Sequence, residues 1–118
     1  MQSLDLLNDV RSGGGLAVLV QDPLLDRAAS HHARRMYEER ELSHHLGGDL
    51  PTRLARVGYA WATCGENIAR GQQTAKQAVE DWLVSPGHRG NIVNSTYTGA
   101  GFARCNDYWC LILARPIE

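Results

Sequence analysis

Apolar residues recur at helical spacing over four stretches of the chain and run as strands over two more, and this pattern predicts most of the elements. Leu4, Leu7 and Val10 share one face of a first short helix that ends near Arg11. Gly13-Gly14-Gly15 stops it. Asp22-Pro23 opens a second helix, because Asp is a good N-cap and proline sacrifices no hydrogen bond at the first helical position. Leu24, Ala28, His32 and Met36 then recur every fourth residue, with Arg27, Arg34, Arg35 and Glu38 largely off that stripe. Residues 43–48 read as a loop, and Pro51 begins a short helix through Leu54 and Val57 that Gly58 stops. Residues 63–69 carry no helical stripe, and their later part reads as extended. Thr74-Ala75-Lys76-Gln77 is a capping box. The helix it opens buries Ala75, Ala78, Val79, Trp82 and Leu83, and Pro86-Gly87 is expected to end it. Residues 99–104 and 108–115 read as antiparallel strands around an Asn106-Asp107 turn. The expected architecture is α+β, a three-layer α-β-α sandwich with a small antiparallel sheet and Trp82 in its core.

The length narrows this further. With 118 residues, no internal repeat and no linker, residues 1–118 are expected to form a single domain. A chain of that size can bury about two-thirds of its unfolded surface. Net charge is −1, from 12 basic and 13 acidic residues, and the basic residues are scattered along the sequence. Nucleic acid is therefore not an expected partner. The longest apolar run, residues 16–20, is far too short to span a bilayer. No charged leader followed by a long apolar stretch opens the chain, so no signal peptide is visible in it.

Of the three cysteines, Cys105 and Cys110 flank Asn106-Asp107-Tyr108-Trp109. If those four residues form the loop, the two cysteines face one another at bridging distance. A two-residue loop would leave them diagonal. A Cys105–Cys110 disulfide is the expectation. Cys64 reads as a small, partly buried hydrophobe, since nothing marks it as an activated nucleophile.

Three segments carry the candidate chemistry: Ser43-His44, Gly65-Glu66-Asn67-Ile68-Ala69, and Ser85-Pro86-Gly87-His88-Arg89-Gly90-Asn91-Ile92. In this order, with the Trp82 helix between the last two and a hairpin downstream, they resemble the CAP superfamily. This is the cysteine-rich secretory, antigen and pathogenesis-related protein group, here in its short bacterial SCP-like form. The resemblance covers about residues 6 to 116. It implies the α-β-α sandwich, a secreted or periplasmic location, and a cleft lined by two histidines and two acidic residues. Glu66 matches the glutamate of the Gly-Glu-Asn motif and His88 the histidine of the Gly-His motif. His44 matches the other histidine, with the adjacent His45 as the alternative. Where the second acidic residue is expected, Ser85 stands. Glu80 and Asp81 are nearby, but each lies about 130° from the centre of the buried helix face, so neither is a good substitute.

The cleft candidates are thus His44, Glu66 and His88, with Ser85 and Asn67 beside them. Two imidazoles and a carboxylate suit a catalytic zinc, which takes three protein ligands and keeps a position for water. The metal candidates are His44 and His88, with Glu66 as third ligand to zinc or another divalent ion. The same groups without metal could bind a polar ligand or act as acid and base. A structural role competes: Glu66 accepting backbone hydrogen bonds, His88 fixing the following helical turn, His44 packing on both. Asn67, Arg89 and Asn91 read as fold-defining hydrogen-bonders, and His32 as a core histidine. Tyr59, Trp61, Tyr97 and Tyr108 are candidates for an exposed aromatic patch.

The preferred functional reading is a secreted CAP-domain protein, monomeric, that binds a lipid, glycan or protein partner through the His/Glu cleft. The alternative is a metal-dependent hydrolase of peptide or cell-wall bonds using His44, Glu66 and His88. A third is an interaction domain whose cleft is vestigial. The nucleophile-elbow pattern Gly-x-Ser-x-Gly is absent, so no serine hydrolase is read, and no residue is assigned as catalytic.

Overall fold

The computed structural model describes residues 2–118. The elements run α1 (Gln2–Gly13), β1 (Val20–Gln21), α2 (Pro23–Glu39), α3 (Leu50–Arg56), β2 (Trp61–Arg70), α4 (Ala75–Leu83), α5 (Pro86–Ile92), β3 (Gly99–Cys105) and β4 (Tyr108–Pro116). The four strands lie in the order β1-β3-β4-β2. β4 pairs antiparallel with β2 on one side and with β3 on the other. The sheet is mixed rather than purely antiparallel, because the two-residue β1 runs parallel to β3. So short a strand leaves no alternation to read in the sequence.

Helices cover both faces of the sheet. On one side α1 and α4 enclose Leu7, Val79, Trp82, Phe102, Leu111 and Leu113. On the other, α2 and α3 enclose Leu25, Met36, Leu54, Ile68, Cys110 and Ile112. Central β4 is therefore buried on both faces from Tyr108 to Ala114, which is why it reads as an unbroken apolar run.

Helix α2 starts where expected: Asp22 accepts hydrogen bonds from the Leu24 and Leu25 amides. Its buried face is Leu25, Ala28, Ala29, His32, Ala33 and Met36, shifted toward the alanines from the predicted stripe. Close packing on β3 explains the shift. A Cβ on Gly101 would lie 2.1 Å from the Leu25 carbonyl carbon, so helix and strand touch backbone to backbone. Helix α4 is capped by Thr74, whose hydroxyl accepts from the Gln77 amide. Gln77 reaches back to the amide of Gln73, one residue earlier than the usual reciprocal bond. Trp82 is 2% exposed, and its indole N–H donates to the Ile68 carbonyl at 3.0 Å.

Helix α4 ends at Leu83, ahead of Pro86-Gly87 as expected, and Pro86 then opens α5, the same first-turn role that Pro23 plays in α2. A further expectation is corrected. The Cys105–Cys110 disulfide is absent and all three cysteines are free. The hairpin turns on two residues, with Asn106 in the left-handed region at φ 55. That register pairs Cys105 with Tyr108 and Cys110 with Ala103, so the thiols are diagonal neighbours. Finally, Tyr59, Tyr97 and Tyr108 are buried and Trp61 is half-buried, so no exposed aromatic patch forms.

Candidate functional site

Strand β2 carries Gly65, Glu66 and Asn67 out of the protected middle of the sheet, along an edge that pairs only with β4. Gly65 lies against Tyr97, whose hydroxyl oxygen would be 2.5 Å from a Cβ at that position. Glu66 points to the α2–α3 side and is buried at 7% exposure. Its partners determine the character of the site. Arg53 forks onto the carboxylate, Nη1 to Oε2 at 2.7 Å and Nη2 to Oε1 at 2.9 Å. His44 Nδ1 meets Oε1 at 2.9 Å, and the Cys110 thiol donates to Oε2 at 3.4 Å. His32 Nε2 stands 3.9 Å from Oε1 and is hydrogen-bonded at 2.7 Å to the Ser43 carbonyl. Arg53 also donates to the carbonyls of Gly48 and His44, pinning the 43–48 loop over the carboxylate.

Burial alone pushes the Glu66 carboxyl up strongly. The His44 and Arg53 hydrogen bonds and the Arg53 charge together outweigh it and hold the pKa down to about 2. Glu66 is therefore ionised at neutral pH and can only accept. The hydrogen in its bond with His44 must sit on Nδ1, which leaves Nε2 of neutral His44 as a lone-pair acceptor. The His44 side chain is 46% exposed. His45 is exposed as well, but its backbone amide bonds back to the Ser43 hydroxyl and its ring makes no hydrogen bond to Glu66. His44 is the member of the pair that meets the carboxylate.

His88 arrives from α5. Asn67 Nδ2 donates to the His88 carbonyl at 2.9 Å, and Asn91 Nδ2 donates to Asn67 Oδ1 at 2.9 Å. These amides fasten α5 to β2, so Asn67 and Asn91 hold the wall of the site. Arg89 is exposed and takes no part in these bonds. His88 Nδ1 is hydrogen-bonded to Ser85 Oγ at 2.9 Å. Burial, and after it the charge of His44, lower the His88 pKa, so the ring is neutral at neutral pH. His44 thus stands against Glu66 from the 43–48 loop, and His88 stands against Ser85 from α5.

A three-ligand zinc centre on His44, His88 and Glu66 does not fit this geometry. A carboxylate has about four lone-pair positions. Those of Glu66 are met by two Arg53 nitrogens, His44 and Cys110. A cation there would also face the Arg53 guanidinium. Among the described residues no group of three His, Cys, Asp or Glu side chains is placed to hold a metal ion. Ser85, standing where the second acidic residue was expected, is engaged with His88 instead.

Sequence reasoning missed Arg53, the residue that most shapes the site. The signal was present: Arg53 shares the inward face of α3 with Leu50, Leu54 and Val57, an unusual place for a guanidinium unless paired. It also missed Cys110 as a Glu66 partner, which only the strand register reveals.

Known proteins are similar to this chain in sequence and, in one case below, in structure. YkwD of Bacillus subtilis is 32% identical over 110 residues, 90% of this chain and 43% of the relative. The membrane protein YlbC of Bacillus subtilis is 37% identical over 110 residues, 92% of this chain and 32% of the relative. The crystal structure of an extracellular protein containing an SCP domain from Bacillus anthracis superposes with a TM-score of 0.94 at 32% identity, covering 97% of this chain and 39% of that one. The chain thus spans less than half the length of these relatives. No helix among its described residues is long and apolar enough to cross a membrane. With the sequence profile of the cysteine-rich secretory protein family, CAP, matching residues 4–112, the chain belongs to that family.

Proposed function

We propose that the chain is the ligand-binding module of an extracellular protein, and that the cleft between His44 and His88 holds a polar group of a glycan or peptide. The observation that carries this reading is the Arg53 fork on Glu66. A general acid or base works best with a pKa near the operating pH. A carboxylate held at about 2, with every lone pair engaged, neither donates nor accepts a proton there and does not coordinate a metal. It acts through His44, fixing the ring so that Nε2 faces outward as an acceptor. Neutral His88, anchored through Ser85, supplies the second imidazole. The extracellular location draws on the Bacillus anthracis relative, whose SCP domain belongs to an extracellular protein.

The test is sedimentation with purified bacterial cell walls, with soluble products followed by mass spectrometry. The expected result is retention without release of fragments. His44→Ala and His88→Ala should each weaken retention about tenfold, the equivalent of about 1.4 kcal/mol. Absence of retention sinks the glycan and peptide reading. Metal-dependent release of fragments, abolished by Glu66→Gln in a folded protein, overturns the binding role in favour of a hydrolase.

A further inference from the structure

All but one of the 12 basic residues are arginine. Though scattered in sequence, four of them converge in the fold. Arg34 and Arg35 from α2 and Arg53 and Arg56 from α3 line one groove of about 260 Å³, with Leu46 and Gly47 of the loop also in its wall. Two acidic groups answer them directly, Glu38 in the lining and Glu66 behind Arg53. Glu39 meets Arg35 at 3.7 Å with both side chains about half exposed, a pair worth little. Even with Glu39 counted, the groove is positive on a chain of net charge −1. Arg34 and Arg56 form no carboxylate ion pair among the described residues. The Arg56 guanidinium donates to the Gly47 carbonyl, and Arg35 lies beside Gly47.

We propose that this groove binds a phosphoryl group. Guanidinium forks match the oxygens of phosphate in shape and charge, and their planar geometry loses less freedom per hydrogen bond formed than lysine ammoniums do. A dianionic phosphoryl group presents three terminal oxygens, enough to engage Arg34, Arg35 and Arg56 together, whereas a carboxylate presents two. His32 lines the same groove and adds a second, independent feature. Its Nε2–H donates to the Ser43 carbonyl, so Nδ1 is an acceptor, and that nitrogen is buried without a partner. A phosphoryl species that keeps one P–OH, as hydrogen phosphate does beside its three unprotonated oxygens, supplies the missing donor. The groove is distinct from the surroundings of His88 and meets those of His44 at Arg53 and His32, both of which also stand against Glu66.

Inorganic phosphate titrated into the full chain at low salt, followed by amide NMR, tests this. Shifts should concentrate in α2, α3 and residues 43–48, with a Kd on the order of millimolar. The double variant Arg34→Gln, Arg56→Gln should bind at least about tenfold more weakly. Arg115→Gln, which removes the same kind of charge outside the groove, should change binding by less than about twofold. Glu38→Gln should tighten binding about threefold and needs no buried group to be disturbed. His88→Ala should leave phosphate binding unchanged, which separates this site from the proposed cleft. Sedimentation with phosphatidylcholine vesicles, with and without phosphatidic acid, then distinguishes a lipid headgroup from a free phosphoryl compound. Shifts spread over the whole surface, equal losses in Arg115→Gln, or no shifts at tens of millimolar phosphate would each overturn the assignment.

Discussion

Replacing Arg53 with methionine removes the fork on Glu66 while keeping the apolar stem that packs in α3. Glu66 then remains buried with only His44 and Cys110 as partners. Its ordinary value of 4.5 falls to about 2 in the folded protein. At about 1.36 kcal/mol per pH unit, that difference makes the ionised, paired carboxylate worth about 3 kcal/mol to folding at neutral pH. Because the folded value lies below the unfolded one, this stability is present above pH 4.5 and is lost as pH falls toward 2. Without Arg53, burial dominates and the folded pKa rises above the unfolded value, so Arg53→Met should destabilise by about 3–5 kcal/mol at pH 7. The difference from wild type should shrink to about 1 kcal/mol near pH 3, where Glu66 of the variant is protonated in both states. Urea unfolding at pH 7 and pH 3 reads both quantities. A loss below about 1 kcal/mol at pH 7, or a loss that does not change with pH, would refute the assignment of Glu66 as a structural anion held by Arg53.

Other variants test the frame around the site. Gly101→Ala should unfold the protein or cost more than about 3 kcal/mol by thermal melting, because the new methyl group meets the α2 backbone rather than a yielding side chain. Trp82→Ala should cost about 3–5 kcal/mol by urea denaturation, through lost packing and an Ile68 carbonyl deprived of its donor. Thiol counting after non-reducing purification should find three free cysteines. Cys110 should stay silent to thiol reagents until unfolding, since burial and then the Glu66 charge push its pKa well up.

What was legible in the sequence was what local patterns encode. Asp22-Pro23, the Thr74–Gln77 cap and the Asn106-Asp107 turn each declare an element through their own chemistry, and α2, α4 and the β3–β4 hairpin follow. Glu66 and His44 stand 2.9 Å apart, and Asn67 fastens β2 to α5 through the His88 carbonyl. What was not legible depended on register and on long-range pairing. Whether Cys105 faces Cys110 turns on a loop of two residues or four. The link from Arg53 to Glu66 crosses from α3 to β2, and the gathering of Arg34, Arg35 and Arg56 needs α2 to lie beside α3. Buried Arg11 is a further case: it donates to the carbonyls of Ala17, Ile92, Asn94 and Tyr97, tying α1 to the end of α5 without a carboxylate partner. A lone arginine at the close of a helix gives no sign of such a task.

The central claim is that Glu66 is a fixed anion whose work is to orient His44. The most direct measurement is the His44 tautomer, read from long-range proton–nitrogen correlations in protein labelled with ¹⁵N-histidine at neutral pH. Neutral His44 should carry its hydrogen on Nδ1, donated to Glu66, with Nε2 bare. A hydrogen on Nε2, with Nδ1 bare beside the carboxylate, would contradict it.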